Sequence, residues 1–299
     1  MIDPLENRIL FTTSFDAGVL SILGTGGADQ ISVRVVDRRL AVEVNGAVER
    51  FTLGSVMQMV INGLAGSDRI DFSTVTIPTF ARGGGGNDAI FAGAGGDRLL
   101  GDGGNDQLYG GAGDDRLDGG SGADFLSGGD GRDSVNYNTR TANLSLTIAR
   151  GGYDDGEANE RDNIRADVEG IASGSGNDMI VGWKFADVIL GGAGDDSIRG
   201  DDGPDTINGD DGDDVIEGNG NNDRLSGGNG DDYLDAGDGR NLLYGNAGDD
   251  RFDASNGNTD DALDGGSGYD RADLDAAVDG GDIDRDNTRS VERKDYDFD

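Results

Sequence analysis

GGAGDDRLD, residues Gly110–Asp118, decides the fold of this chain, because it is one copy of a nine-residue unit. GGGGNDAIF, AGAGGDRLL and GDGGNDQLY precede it and GGSGADFLS and GGDGRDSVN follow, so the series fills residues 83–136 without a spacer. A second series restarts at Ser173 and runs, with irregularities, to Asp273. A unit this short cannot bury an apolar face alone; at a fixed period it reads as a stack in which each copy covers its neighbour.

Comparison of the copies assigns a job to each position. Position eight is apolar throughout the first series: Ile90, Leu99, Leu108, Leu117, Leu126 and Val135. Position six is Asp in every copy of that series: Asp88, Asp97, Asp106, Asp115, Asp124 and Asp133. Position two is Gly, Asp or Asn in most copies, among them Gly192, Asp201, Asp210, Asn219 and Asn246. Those residue types share a tolerance of positive φ. Positions one to six therefore form a left-handed-rich turn and positions seven to nine a short strand with one inward side chain. Two units make one coil of eighteen residues. A flexible acidic linker would have no reason to keep Ile or Leu at position eight.

The bulk composition agrees that an ordinary core is missing. Of 299 residues 56 are Gly, only 34% are apolar, and the formal charge is -36. Such a chain buries too little apolar surface to offset its ordering entropy unaided. The absence of Cys and His removes thiol catalysis, disulfides, the usual zinc sites and any His-based triad. No apolar run is long enough to span a membrane, and Asp3, Glu6 and Arg8 ahead of Ile9–Phe11 do not have the layout of a cleaved signal peptide. The acidic balance disfavours nucleic acid and anionic lipid and favours cations. Residues 1–82 carry nine acidic and seven basic side chains, a net of -2 that leaves -34 for residues 83–299 and sets a boundary near Arg82.

Calcium takes six to eight oxygen ligands from carboxylates and backbone carbonyls. A Gly-rich turn presents carbonyls, one Asp per turn adds charge, and coils stacked at the strand spacing of about 4.8 Å bring consecutive turns within reach of one ion. The candidate ligands are Asp88, Asp97, Asp106, Asp115, Asp124 and Asp133 in the first array, and Asp178, Asp196, Asp205, Asp214, Asp223, Asp232, Asp250 and Asp270 in the second. Residues eighteen apart line one edge, so two rows of ions are expected, roughly ten in all.

These units resemble the GGxGxDxUx nonapeptide of the RTX, or hemolysin-type calcium-binding repeat, family. The resemblance implies an all-β, right-handed parallel β-roll (a β-solenoid), bound calcium and export by a type I route. The stretch DSVNY…DVEGIASGSGND is similar to the segment that separates repeat blocks in that family.

Five regions follow. Residues 1–82 form an N-terminal β region: Ile31, Val33 and Val35 and then Leu40, Val42 and Val44 alternate with Ser32, Arg34, Ala41 and Glu43, Asp37–Arg39 joins the two, and Asn45-Gly46 is a hairpin dipeptide. GTGGADQIS (Gly24–Ser32) and GLAGSDRID (Gly63–Asp71) are degenerate units, so this region is expected to cap the stack. LENRILF (Leu5–Phe11) resembles the Leu-Glu-Pro-Arg motif at the start of large bacterial surface proteins, with Asn7 in place of Pro. Residues 83–136 are the first array and 137–172 an inter-array segment with a strand at Leu144–Ile148 and an acidic loop at Tyr153–Asp162. Residues 173–273 are the second array and 274–299 an acidic, loosely ordered tail. Irregular units set the sites beside Asp187, Asn241 and Asp261 apart: Trp183 and Phe185 replace Gly in the first, Asn241 replaces Asp in the second, and the third has two extra residues. Trp183 and Phe185 are expected to pack against the inter-array segment.

The expected function is a secreted or surface-displayed calcium-binding module without catalytic activity, with surface polysaccharide or other surface proteins as candidate partners. The competing reading is a calcium-dependent lyase or epimerase acting on a polysaccharide, for which Tyr109, Tyr233, Tyr244 and neighbouring Arg side chains are the residues to examine.

Overall fold

The computed structural model describes residues 12–148, 155–158, 160–255, 261–274, 287–289 and 291–293. The Leu5–Phe11 motif therefore lies outside the described residues. The chain forms two compact units, residues 1–135 with 160–168, and residues 136–159 with 169–299. Both are β throughout; one three-residue 3-10 turn, Leu53–Ser55, is the helical element among the described residues.

In the first unit the repeat produces two parallel ladders. One runs through Gln58–Ala65, Thr79–Gly85, Arg98–Gly103 and Arg116–Asp118, and the other through Arg69–Asp71, Ala89–Phe91, Gln107–Ala112, Phe125–Asp130 and Asn163–Ile164. Leu99 pairs with Leu117 and Leu108 with Leu126, so consecutive coils stand eighteen residues apart as the nonapeptide requires. Position eight points inward every time: Ile90, Leu99, Leu108, Leu117, Leu126 and Val135 are fully buried. Each contributes about 1.5–3 kcal/mol. That is small beside the cost of ordering nine backbones, about 9–18 kcal/mol.

The N-terminal region closes the first unit with antiparallel pairs. Gln30–Val36, Arg39–Val44 and Ala47–Thr52 form a meander whose first strand pairs in parallel with Arg69–Asp71. Asp37 and Arg38 (φ 50° and 60°) make one two-residue turn, and Asn45 and Gly46 (φ 51° and 83°) make the other. Thr12–Asp16 and Val19–Leu23 form a hairpin that joins Gln58–Ala65. This is the β capping region expected from the alternation of residues 31–44.

The second unit repeats the plan. One ladder runs Leu144–Thr147, Met179–Val181, Ser197–Arg199, Val215–Glu217, Tyr233–Asp235, Arg251–Ala254 and Asp270–Leu274. The other runs Gly170–Ala172, Val188–Ala193, Thr206–Asp211, Arg224–Asn229, Leu242–Ala247 and Ala262–Ser267. The expected loosely ordered tail needs correction in part: Asn287–Arg289 pairs in parallel with Ala262–Asp264, and Val291–Arg293 with Asp270–Ala272. The last two coils present open sheet edges, and even a sequence poor in apolar residues can add backbone hydrogen bonds there.

Candidate metal centres

The turns that join the strands are built as the sequence implied. Position two is left-handed at Gly111, Gly192 and Gly266 and also where it is not Gly, with φ 75° at Asp102, 66° at Asp201 and 70° at Asn219. Position four follows, with φ 122° at Gly113. A Cβ on Gly113 would run into the carbonyl of Gly95, one coil earlier. Where position four is Gly, as at Gly104, Gly113 and Gly122, a backbone oxygen of the preceding coil thus points at it, and only hydrogen fits.

Position six completes the arrangement. The Asp88 N–H donates to Oδ1 of Asp106 at 2.7 Å, Asp106 to Asp124 at 2.7 Å, Asp97 to Asp115 at 2.7 Å and Asp115 to Asp133 at 2.8 Å. In the second unit one edge links Asp178, Asp196, Asp214, Asp232, Asp250 and Asp270 in the same way, and the other links Asp187, Asp205, Asp223, Asn241 and Asp261. Position five runs in the opposite direction on the outside: Asp213 donates to Oδ1 of Asp195, and Asp231 to Asp213, at 3.1 and 2.8 Å. Adjacent Asp pairs such as Asp213-Asp214 therefore bind the coils on either side of them.

The second oxygen of the position-six carboxylate is the chemically telling atom. In Asp88, Asp106, Asp115, Asp196, Asp205, Asp214, Asp223, Asp232, Asp250 and Asp270, Oδ2 is buried and accepts no hydrogen bond. It lies against the position-one residue of its own turn, so that a Cβ on Gly101 would collide with both Asp106 Oδ2 and the Gly119 carbonyl. A buried carboxylate oxygen without a partner is strongly unfavourable. A hard cation would satisfy it together with the nearby backbone oxygens. Among the described residues no three Asp, Glu, His or Cys side chains converge. The donor set is therefore rich in carbonyls, with one carboxylate from each turn.

Burial raises several of these carboxyls, Asp106, Asp196, Asp205, Asp214, Asp223, Asp232 and Asp250, above the ordinary carboxylate range. Desolvation, followed by repulsion from neighbouring Asp residues, lifts Asp205 to about 8 and Asp106, Asp196 and Asp232 to about 7. Asp97 rises to about 7 from the same leading cause. A folded-state pKa above the ordinary value means that a metal-free fold is favoured at acid pH, and that this contribution is lost as pH rises through about 6–8. A cation must displace those protons. We expect apparent cation affinity to fall about tenfold per pH unit for each proton displaced once pH drops below about 7. Titrations at pH 8 and pH 5.5 that gave equal affinity would contradict it.

All fourteen expected ligand positions lie on these edges, but they are not equivalent. The Oδ2 of Asp97 accepts the Gly93 N–H at 3.4 Å, within its own turn. Asp187 and Asp29 do the same from Trp183 and Thr25, both at 2.6 Å. None of these three position-two residues is left-handed. The sequence reading missed Asp29, Asp68 and Asp162. Asp29 donates to Asp68 Oδ1 and Asp68 to Asp88 Oδ1, both at 2.7 Å, so the degenerate units extend the same edge. Asp162, read as part of an acidic loop, accepts the Asp124 N–H at 2.9 Å, and Ile164 two residues later is buried. The pattern Asp-x-apolar was the available signal. The expected packing of Phe185 fails: it is 51% exposed, and the Lys184 ammonium lies 5.3 and 5.6 Å from the Phe185 and Trp183 rings.

A family model for the RTX calcium-binding nonapeptide repeat (4 copies) matches at residues 80–108, 100–135, 172–207, 199–234, 226–259 and 235–272. No curated protein matches the chain.

Proposed function

The chain belongs to the RTX calcium-binding repeat family, whose repeat covers more than half of it, and from that premise we propose a secreted or surface-displayed module that becomes ordered by loading roughly ten calcium ions and has no catalytic role. The observation that carries this reading is the set of buried Oδ2 atoms without a partner at Asp88, Asp106, Asp115, Asp196, Asp205, Asp214, Asp223, Asp232, Asp250 and Asp270. The residues that would hold the ions are the position-six Asp residues, with Asp68 and Asp162 added, together with the carbonyls of the left-handed turns. Calcium suits them better than magnesium, which demands octahedral geometry at shorter distances. Extracellular calcium modules bind at about 10⁻⁴–10⁻³ M, which supports a location where calcium is abundant. No helix of the described residues is long and apolar enough to cross a membrane.

Surface polysaccharide and other surface proteins are the proposed partners, and the charge of -36 argues against nucleic acid. The lyase or epimerase reading gains little from the aromatic residues. Phe91 and Tyr109 stack on each other at 4.9 Å and 7°, and Phe125 follows at 5.3 Å. The Arg69 and Arg165 guanidinium groups lie over the two outer rings, at 4.1 and 5.6 Å. These faces are occupied by each other and by Arg, which suits a ladder that stiffens the sheet.

Native mass spectrometry in millimolar calcium tests the proposal, with roughly ten ions expected. Asp106→Asn should keep the hydrogen bond from Asp88 and lose the charge, so the count should drop by up to two, at the steps to Asp88 and to Asp124. A wild-type chain that retained no calcium would overturn the proposal.

A further inference from the structure

The two edges of the second unit differ at one coil. Asn241 stands at position six, fully buried, between Asp223 and Asp261. Its Oδ1 accepts the Asp223 N–H at 2.8 Å, as an Asp would, and its own N–H donates to Asp261 Oδ1 at 2.7 Å. Its second arm is a donor, and Nδ2 points at the Gly237 carbonyl of the same turn at 3.4 Å. In the turns of Asp205 and Asp223 on the same edge that place belongs to a carboxylate oxygen without a partner.

Position one changes as well. The two preceding turns on this edge have Gly200 and Gly218 there, and each faces the Oδ2 of its own Asp closely enough that a Cβ would collide with it. Here the residue is Ala236, fully buried, so position one carries a methyl group, as it does at Ala254 in the following turn. The one position-one Ala of the first array, Ala92, also belongs to a turn whose Asp97 Oδ2 is engaged internally, by Gly93. Methyl at position one and an internally engaged position six thus occur together at Ala92 and Ala236, while Asp187 and Asp29 are engaged internally with Gly182 and Gly24 at position one.

We propose that Ala236–Asn241 is a metal-free rung, in which the carboxamide itself takes the place of a calcium ion and closes the turn from inside. This rests on the calcium-binding reading above and adds a boundary to it. Loading on the Asp187–Asp261 edge is divided at Asn241, while the Asp178–Asp270 edge loads as one row. The neutral side chain also removes a like charge from the line.

The test is a calcium count by native mass spectrometry on the full chain in saturating calcium. The double variant Ala236→Gly/Asn241→Asp should gain one or two ions over the wild type. A folded double variant with an unchanged count would overturn the proposal. The reciprocal change, Gly227→Ala/Asp232→Asn, places a second metal-free turn on the other edge and decides the matter should the first variant fail to fold. It should lose one or two ions and keep its far-ultraviolet spectrum. A full ion count, or loss of the fold, in this reciprocal variant would overturn the proposal. A wild-type chain without any calcium would instead remove the reading on which the proposal rests.

Discussion

In excess chelator at neutral pH the chain is expected to lose most of its β signal in the far ultraviolet, and to regain it when millimolar calcium is added. The expectation follows from the position-six row. Burial has raised Asp205 to about 8 and Asp106 to about 7, so ionising them in the fold without a counter-charge is unfavourable. One inward Ile or Leu per nine residues does not offset that together with the ordering of the backbone. Each site that binds only the folded form contributes about 1.4 kcal/mol at tenfold saturation, so roughly ten sites contribute about 14 kcal/mol, comparable with the whole stability of an ordinary domain. Magnesium at the same concentration should restore little. A spectrum that already showed full β structure in chelator and did not respond to calcium would sink the mechanism. In a calcium-poor compartment the chain would stay unfolded.

Gly113→Val should be strongly damaging to the first array. The residue sits at φ 122°, where a β-branched side chain is strongly disfavoured, and its Cβ would collide with the Gly95 carbonyl. Strain and overpacking together amount to about 3 kcal/mol or more. The control is Gly85→Ala, where no atom lies within 4 Å of the added Cβ and φ is not positive. It should change stability by about 0.5–1 kcal/mol. Urea unfolding in saturating calcium compares the two, and equal midpoints would refute the turn assignment.

Much of this molecule could be read before any coordinates. The eighteen-residue register, the inward position eight and the left-handed position two follow from comparing copies within the chain, because a stack forces each copy to solve the same steric problem. The Ile31–Val44 meander and its Asn45-Gly46 turn were legible from alternation and turn chemistry. What escaped was set by the third dimension. Asp162 occupies a position-six place thirty-eight residues after Asp124, a spacing that no periodic comparison would align. Nor does a sequence show that Asp97 and Asp187 close their own turns while Asp115 and Asp205 do not, since that depends on whether the N–H of position two faces the carboxylate.

The thirty-eight-residue step at Asp162 bears on how such a chain can lengthen. Most links join residues eighteen apart, but those from Asp68 to Asp88, Asn241 to Asp261 and Asp250 to Asp270 span twenty. The Asp124 link spans thirty-eight at 2.9 Å, within the range of its regular neighbours. The ladder therefore recognises where a carboxylate arrives and is indifferent to the length of the route. Whole segments can be spliced between position nine of one unit and position six of a later one, provided the returning stretch brings Asp-x-apolar back into place. The repeat then serves as an acceptor for grafts, and new surface can accumulate on this scaffold by insertion without redesign of the stack beneath it.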